Sequence, residues 1–554
     1  MKRATYVSDL RHQRWMTVLG AAILALFLVV QPAQAFNFDT GDPDLTISLD
    51  NTAKFSTLYR LDNPSSVLTS NINQDDGDRA FRAGFDSARF DLLSEFDVKY
   101  KNYGVRFSAA GWYDPFYFRA SNDNNSPATY NGLGSSNSFP SETQKLHGLD
   151  AELLDGFVFG SNDIGSSTLS WRGGQFAQLW GESLFFGNNG IANGMAPIDV
   201  IKLLSVPNSQ FKEIIRPVPQ IGGQLQISPQ FSIGAYYQLA WEQTRLPGVD
   251  SYFSTLDFFG PGAERLFVGP PLIPGGPLAA MYHGQDINGS DSGQGGIDAR
   301  FRCGEYDFGL YAIRYNEKVP QLYIYPGVGV NPATGQVGQY ALVYPDGIQS
   351  YGASASTSIG IVNLAGEVSA RVNTPLVSDA VTVLPGVQAD NSSHPLYAVG
   401  DSIHAQISTL TSFGPSFISK EATLLGEIAW NERLCITDNP GALDPNTTRN
   451  AVGFRFVYEP AYRQVCSGID LTFPIGMSYF PIGTSSVIDN FGPNKGGDFN
   501  LGIQVIYLDT WRFHLTFTDF YGAPGTTLNS NNQFSFDQSL ADRDYVQFSV
   551  THTF

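Results

Sequence analysis

Residues Arg89–Tyr100 read RFDLLSEFDVKY, a stretch that alternates between two kinds of side chain. The even-numbered positions are mostly apolar, whereas the odd-numbered positions carry charges, apart from Leu93. A repeat of two residues is the period of a β-strand, because successive side chains point to opposite faces of a sheet. The stretch therefore predicts a strand with one apolar face and one charged face.

The same alternation recurs along the chain, for example in Phe231–Glu242, Leu364–Val372, Val452–Tyr458 and Phe499–Tyr507. We count roughly 18 such strands, joined alternately by short turns and long links, as in bacterial outer-membrane barrels. The pattern predicts an all-β fold, a transmembrane antiparallel β-barrel of the outer membrane with short periplasmic turns and long extracellular loops. Without the spacing of the links, alternation alone would equally fit an array of secreted soluble β-sandwiches.

The composition agrees with such a barrel. Of the 554 residues, 42% are hydrophobic, 13% are aromatic and only 15% are charged, against about 25% charged residues in ordinary soluble domains. The formal net charge of −19 argues against a nucleic-acid partner, because such proteins present basic surfaces. The last strand, Tyr545–Phe554, is amphipathic and ends on an aromatic residue, which resembles the final strand of many outer-membrane barrels.

Residues 1–35 have the order of a secretory signal peptide. A basic leader precedes the apolar run Val18–Val30, and Ala33-Gln34-Ala35 offers a small-x-small cleavage site. The apolar run is short for a spanning helix, which needs about 20 residues, and this disfavours an N-terminal membrane anchor. We expect residues 1–35 to be removed on export, and residues 36–554 to form a single barrel domain in the outer membrane of a Gram-negative bacterium.

A longer motif lies at the start of the predicted long link Gly181–Pro217. It contains Trp180-Gly181-Glu182-Ser183 and, further on, Asn193-x-x-x-Pro197-x-Asp199. On these residues the chain resembles the proteobacterial outer-membrane family known as domain of unknown function thirteen-oh-two (DUF1302). The family usually shows Gly-Arg-Gln before the Trp-Gly-Glu, whereas here Gly173-Gly174 follows Arg172.

The resemblance implies a porin-like barrel, in a setting of steroid or hydrocarbon catabolism. Members are often encoded beside a lipoprotein-like partner and large inner-membrane transporters. The implied function is an outer-membrane channel for uptake of hydrophobic compounds (steroid, hydrocarbon or lipid-like). The alternative is the outer-membrane component of an envelope-spanning transport complex for lipids or hydrophobic compounds, acting with a periplasmic or lipoprotein partner and an inner-membrane transporter.

Several predicted outer links are unusually apolar, notably Leu256–Phe259, Leu266–Ile273 and Val319–Tyr325. Large exposed apolar patches mark binding sites or interfaces, so these links predict an apolar cargo-binding site at the mouth of the barrel. Packing between loops that merely closes the barrel, or a surface for another protein, would explain the same composition. The candidate residues are Phe258, Phe259, Leu266, Phe267, Leu272, Ile273, Leu322 and Tyr323.

The link Gly181–Pro217 contains a predicted short helix, Pro197–Leu204, with apolar residues on one side. In some barrels such a link folds inward and narrows the lumen. We therefore expect either an inward constriction or an external lid. The family-signature residues in or beside this link are Trp180, Gly181, Glu182, Asn193, Pro197 and Asp199.

Ionisable residues of both signs fall on the polar face of the predicted strands. In a membrane barrel that face lines the wet interior, where rings of charge set selectivity. Pairing of these charges across strands, to hold a filled lumen rigid, is the alternative role. The lumen-lining candidates are Arg89, Asp91, Glu95, Asp97, Arg106, Asp150, Glu152, Arg172, Arg300, Glu367, Arg371, Glu427 and Arg455.

Other motifs carry weaker predictions. Asp75-Asp76-Gly77-Asp78 offers oxygen ligands for Ca²⁺, but a solvated acidic loop is the preferred interpretation. Ser402 and His404 resemble part of a hydrolase site, yet they lie on a predicted strand without the strained turn that exposes a nucleophile. A Cys435–Cys466 disulfide needs Cα atoms within about 7 Å, which competes with the barrel topology. We predict no enzyme activity, cofactor or metal site, and expect outer-membrane lipid and a hydrophobic small molecule as partners.

Overall fold

The structure is a computed structural model that describes residues 36–121, 128–206 and 211–554. The predicted signal peptide, residues 1–35, lies outside the described residues. Within the described ranges, no helix has the length and apolar character needed to cross a membrane.

Eighteen strands of the described chain form one antiparallel sheet that closes on itself. Each strand pairs with the next in sequence, and the first pairs with the last from Thr52↔Thr553 to Arg60↔Tyr545. The predicted fold class, a closed antiparallel β-barrel of 18 strands, is thereby confirmed. The strands are β1 Leu45–Arg60, β2 Gly84–Tyr100, β3 Tyr103–Tyr113, β4 Leu149–Ile164, β5 Ser167–Phe176, β6 Val218–Ser228, β7 Phe231–Gln238, β8 Gly295–Cys303, β9 Tyr306–Tyr315, β10 Ile348–Ile359, β11 Val362–Pro375, β12 Val399–Phe413, β13 Glu421–Asp438, β14 Asn450–Cys466, β15 Ile469–Ile482, β16 Gly497–Tyr507, β17 Trp511–Tyr521 and β18 Tyr545–Thr553.

The strand β15 is interrupted, with halves Ile469–Thr472 and Ile475–Ile482. Pro474 stands in the gap, and a proline has no backbone N–H to donate to a neighbouring strand. Both halves still pair with β14 and β16, so the interruption does not open the barrel. A short extra strand, Phe36–Phe38, pairs with the start of β1.

Alternation along the strands separates an outer from an inner surface. Ile407 and Ile428 are about 60% exposed, whereas their neighbours Gln406 and Glu427 are buried. The exposed apolar side chains face outward, where a membrane-spanning barrel meets lipid. The polar neighbours face inward and meet other parts of the chain.

The connections alternate between short turns at one end of the barrel and long links at the other, as predicted. Several short turns place a glycine in the left-handed region, such as Gly165 at φ 65° and Gly304 at φ 61°. The long links, named L1 to L9 in chain order, are residues 61–83, 114–148, 177–217, 239–294, 316–347, 376–398, 439–449, 483–496 and 522–544.

The helices that the structure describes are short and lie in the long links. L1 contains Asp76–Arg79, and L7 contains the 3-10 turn Pro440–Ala442. L2 contains Pro115–Phe118, Ser141–Thr143 and Gln144–Gly148. L3 contains Ile191–Gly194, Val200–Ser205 and Phe211–Ile214.

L4, L5 and L6 together build a second, five-stranded sheet, which we call the cap sheet. Tyr323, Val343 and Tyr397 are buried in one of its hydrophobic clusters, and Phe258 and Tyr340 are buried in another. Outer links that share a hydrophobic core of this kind form a folded structure rather than separate loops. The strands of the cap sheet are Arg265–Gly269, Ala279–His283, Gln321–Asn331, Gln336–Val343 and Val381–Thr382.

Candidate functional site

The lumen-lining candidates lie on the interior face of their strands. Residues paired across neighbouring strands share a face, and Asp97 pairs with Arg106 as Glu427 pairs with Arg455. Some of these charges also form ion pairs, such as Arg89–Asp91 at 2.8 Å. Their role in selectivity stays a prediction. The full set on this face is Arg89, Asp91, Glu95, Asp97, Arg106, Asp150, Glu152, Arg172, Arg300, Glu367, Arg371, Glu427 and Arg455.

L3 lies inside the barrel rather than over it. Its described residues form hydrogen bonds with Gln238 on β7, Glu367 on β11, Glu427 on β13 and Gln547 on β18. Strands spread this widely around the ring have only the interior in common. The two alternatives for this link were an inward constriction and an external lid. In the structure L3 folds inward and narrows the lumen.

The predicted helix Pro197–Leu204 is observed as Val200–Ser205. Asp199 has an extended backbone, and its side chain accepts a hydrogen bond from the backbone N–H of Lys202 at 2.9 Å. An aspartate in this position is a favourable N-cap, which explains why the helix begins after Asp199 and not at Pro197.

Glu367 of β11 anchors the first half of L3. Its Oε2 accepts a hydrogen bond from the backbone N–H of Glu182 at 2.6 Å, and its Oε1 accepts one from that of Ile191 at 2.9 Å. A Cβ on Gly181 would lie 2.3 Å from Oε2, and a Cβ on Gly190 would lie 2.4 Å from Oε1. Both glycines therefore let the backbone approach the carboxylate closely.

Glu427 of β13 provides a second anchor. Its carboxylate accepts hydrogen bonds from three consecutive backbone N–H groups, those of Leu184 at 3.2 Å, Phe185 at 2.5 Å and Phe186 at 2.8 Å. Hydrogen bonds to a charged acceptor are stronger than those between neutral groups. The two inward carboxylates together fix the backbone of residues 182–191.

The signature residues Trp180 and Asn193 pack L3 against β7 and β9. The Trp180 ring meets Tyr236 edge-on, with centroids 5.0 Å apart. Asn193 donates a hydrogen bond to the Tyr315 hydroxyl at 3.4 Å. Pro197 follows this contact, and its carbonyl accepts a hydrogen bond from the backbone N–H of Arg216, so the segment turns back on itself within the barrel.

A cluster of charges joins L3 to the wall and to L4. Glu152 of β4 forms ion pairs with Lys202 of L3 at 2.8 Å and with Arg245 of L4 at 2.5 Å. Arg245 also pairs with the cap residue Asp199 at 2.8 Å. All four side chains are largely buried, and buried pairs are destabilising to break because one charge is left without a partner.

Ser402 and His404 form a hydrogen-bonded chain with Asn189 of L3. The Ser402 hydroxyl lies 2.8 Å from Nε2 of His404, and Nδ1 of His404 lies 3.2 Å from Oδ1 of Asn189. The order of groups resembles a hydrolase triad, but Ser402 is fully buried beneath L3. No substrate can reach its hydroxyl in this arrangement, and we assign the chain to holding L3 in place.

Asn189, Gln406 and Arg245 belong to this site but were missed in the sequence. Gln406 donates to Glu367 at 2.9 Å, and it continues the polar alternation that begins at Ser402, so the period of β12 could have identified it. Asn189 and Arg245 lie in links. A link has no repeating pattern of polar and apolar residues from which the direction of a side chain could be predicted.

The predicted apolar site at the mouth needs correction. Phe258, Phe267 and Tyr323 are buried, and Phe258 and Tyr323 belong to the hydrophobic clusters of the cap sheet. Phe259, Leu266 and Leu322 are half-buried against the same core. Loop packing, the alternative interpretation, therefore accounts for most of these candidates. Only Leu272 and Ile273 of the set are exposed, at 46% and 44%.

The acidic segment of L1 also differs from the preferred interpretation, which was a solvated loop. Asp75, Asp76 and Asp78 are fully buried. Asp78 pairs with Arg60 of β1 at 2.6 Å, and a Cβ on Gly77 would lie 2.6 Å from the carbonyl oxygen of Ser254. L4 thus covers this segment.

The cysteines, all among the described residues, are exposed and unbonded. Cys435 lies three residues beyond Glu432, which pairs with Asn450 at the outer end of β14, whereas Cys466 is the last residue of that strand. At about 3.3 Å per residue, the two thiols are on the order of 50 Å apart, and the barrel topology excludes the bridge.

A family model described as a protein of unknown function, DUF1302, matches residues 16–554. No curated protein matches the chain.

Among solved structures, the chain is similar to the outer membrane channel DcaP of Acinetobacter baumannii, with 10% identity and a TM-score of 0.39 over 94% of this chain and 100% of that one. It is also similar to OccAB3 of Acinetobacter baumannii (10% identity, TM-score 0.42, 92% and 99% covered). A BenF-like porin from Pseudomonas fluorescens gives 9% identity and a TM-score of 0.40, with 92% and 98% covered. At such low identity and TM-score, these likenesses carry no inference about function or cargo.

Proposed function

This chain belongs to the DUF1302 family of proteins of unknown function, and we propose that it is a gated outer-membrane conduit for hydrophobic compounds such as steroids, hydrocarbons or lipid-like molecules. The observation that carries the proposal is the closed barrel whose lumen is crossed by the anchored link L3. A barrel filled in this way restricts the free passage of water and small polar solutes, and transport through it requires L3 to move.

The contacts between L3 and the wall support a hydrophobic cargo. Phe186 of L3 packs against Phe480 of β15 and Phe491 of L8, and Trp180 packs against Tyr236 of β7 and Tyr311 of β9. If L3 moves, the aromatic side chains that it now covers become the lining of the path. Ligand sites for hydrophobic molecules are lined mainly by such residues, with a few polar groups that fix orientation.

The outer surface of the cap sheet supports the same class of cargo. Leu272 and Ile273 lie at the tip of one hairpin, and Val328 and Val330 lie near the tip of the next, all between 44% and 54% exposed. The two hairpins are adjacent, because the Tyr282 hydroxyl donates a hydrogen bond to the carbonyl of Thr334. Exposed apolar groups close together on an outer surface offer a first contact for a hydrophobic molecule.

A reversible disulfide between L3 and the wall tests the proposal. A Cβ on Gly352 of β10 would lie 2.7 Å from Cγ1 of Ile191, which suits a disulfide with Cβ atoms about 3.5–4.5 Å apart. The double variant Ile191→Cys/Gly352→Cys is made with the native cysteines replaced by serine. Cells that depend on this protein are then assayed for uptake of a radiolabelled steroid and, in parallel, of a sugar.

We expect the oxidised double variant to lose steroid uptake and the reduced form to recover it. Each single-cysteine variant is the matched control and should be insensitive to oxidation. Equal steroid uptake in the oxidised and reduced forms would show that L3 is not a gate. A different outcome is that the protein restores sugar uptake while steroid uptake stays as slow as in cells that lack the protein. That result would contradict the hydrophobic cargo and indicate a polar one.

A further inference from the structure

Three carboxylates from two outer links meet in a buried place beneath the cap sheet. Asp75 and Asp76 belong to L1, and Asp257 belongs to L4. One oxygen from each of the three lies within 4.8 Å of the other two, and none of the three residues is more than 2% exposed. Carboxylates gathered at this distance repel each other unless positive charge or protons offset them.

One cationic side chain of the described residues pairs with a member of the cluster. Arg79 pairs with Asp75 at 2.5 Å. Asp257 forms no ion pair with any described residue, so its buried carboxylate has no cationic partner in the part of the chain that the structure describes.

Two buried oxygens, one in the cluster and one beside it, have no hydrogen-bond donor among the described residues. Oδ2 of Asp257 accepts hydrogen bonds from the backbone N–H groups of Asp75 and Asp76, but Oδ1 of Asp257 accepts none. Oδ1 of Asn131 in L2 is also without a donor, although the backbone N–H of Asn131 donates to Asp76 at 3.1 Å. Buried oxygens of native proteins almost always have a partner, and these two lack one.

The orientation of the Asn131 amide is fixed by its neighbours. Its Nδ2 donates to Oδ1 of Asn73 at 2.8 Å and to the carbonyl of Arg265 at 2.9 Å. Both partners are acceptors, so the amide cannot be turned round to place its nitrogen where Oδ1 lies. The partner of this oxygen is therefore a cation or a donor that the described side chains of this region do not supply.

We propose that Asp75, Asp76 and Asp257 bind a calcium ion, with the amide oxygen of Asn131 at the edge of the site. The ligand atoms are all oxygen, the set that Ca²⁺ prefers, and the nitrogen and sulfur ligands favoured by zinc and copper are absent from the cluster. The ion would join L1, L2 and L4, and so would fasten three outer links to one another. This inference does not depend on the cargo or on movement of L3.

The test is Ca²⁺ binding by the full-length mature protein purified in detergent and freed of metal with a chelator. Calcium chloride is titrated by calorimetry, and the melting temperature is followed over the same range. We expect saturable binding of one ion, with a dissociation constant of about 10⁻⁴–10⁻³ M as in other extracellular sites, and a melting temperature that rises with it. Magnesium chloride should give a smaller rise, since Mg²⁺ gives up its waters reluctantly.

The variants Asp257→Asn and Asp76→Asn should lose both the binding heat and the rise in melting temperature. Asp509→Asn is the matched control, because Asp509 lies on an exposed short turn with a left-handed φ of 59° that asparagine tolerates. This control should bind as the wild type does. An absence of binding heat in the wild type, or a Ca²⁺ response retained by Asp257→Asn, would overturn the proposal. The wild-type calorimetry decides the matter even if a variant fails to fold.

Discussion

The Glu427 carboxylate accepts hydrogen bonds from three backbone N–H groups of L3. A glutamine in its place would have one acceptor oxygen and no charge. We expect Glu427→Gln to weaken the anchor by about 1.5–3 kcal/mol, the contribution of hydrogen bonds to a charged group. The variant should show a higher and noisier conductance in planar bilayers and a lower melting temperature. Glu421→Gln makes the same change on the same strand at an exposed ion pair with Arg463, and should leave both quantities unchanged. A Glu427→Gln trace identical to wild type would mean that L3 is held elsewhere.

Gly181 and Gly187 lie in the same link but differ in what a methyl group would meet. At Gly181 the φ is 96° and a Cβ would lie 2.3 Å from Glu367, whereas no atom lies within 4 Å of a Cβ on Gly187. We expect Gly181→Ala to destabilise the protein by about 2 kcal/mol or more, from backbone strain and the displaced carboxylate. Gly187→Ala should stay within about 0.5 kcal/mol of wild type. Thermal denaturation of both variants in detergent measures the difference, and equal melting temperatures would contradict the close approach.

At the scale of elements, strands were easier to predict than links. An inward or outward position on β2 or β13 follows from a period of two, since lipid and lumen select opposite side chains at successive positions. The links have no such period. Their apolar residues indicated a cargo site, but in L4 and L5 apolar residues build a second sheet. The Val200–Ser205 helix was predicted, and its start was missed because the capping role of Asp199 was overlooked.

The cap sheet should lose stability when its core is emptied and not when its surface is changed. Tyr323 is fully buried, and its hydroxyl donates to the carbonyl of Asp390 and accepts from the backbone N–H of Leu396. We expect Tyr323→Ala to cost about 3–5 kcal/mol, as for other large buried aromatics. Leu272→Ala, on the exposed tip, should cost little. The rate of limited proteolysis of the outer links in intact cells reports on the cap sheet, and equal cleavage of the two variants would argue against a folded cap.

The cap sheet also has a pH dependence that comes from His283. Burial lowers the pKa of His283, but the hydrogen bond to Asp286 at 2.8 Å and the attraction of its charge outweigh this and raise the pKa above its usual value. The stabilisation is fully present below the unfolded pKa of about 6.5, and it is lost as the pH rises through the higher folded-state value.

Proteolysis of the cap should therefore be faster at alkaline pH than at pH 6 in the wild type, and His283→Gln should reduce that difference. His394→Gln is the control, because His394 is more exposed than His283 in its pair with Asp390. An unchanged pH dependence in His283→Gln would assign the effect to another group.

At the scale of the whole molecule, the closure of the barrel was predictable and the contents of its lumen were not. The closed sheet follows from the requirement that every backbone group in lipid be paired. That requirement places no constraint on L3, whose position depends on carboxylates of β11 and β13 that are distant in sequence from the backbone they hold.

Closure predicts a barrel that unfolds only as a unit. β1 and β18 join through nine paired residues, Thr52↔Thr553 to Arg60↔Tyr545, and the Phe554 backbone exchanges two hydrogen bonds with Asn51. Because a closed sheet has no free edge from which to unravel, the protein in detergent should run as a compact band that shifts on boiling. Deleting residues 545–554 removes the closing strand and should abolish the compact band. Deleting residues 36–38, which pair only with β1, should preserve it. If the chain without residues 545–554 still shifted on boiling, the compact form would owe its resistance to the links and not to the closed sheet.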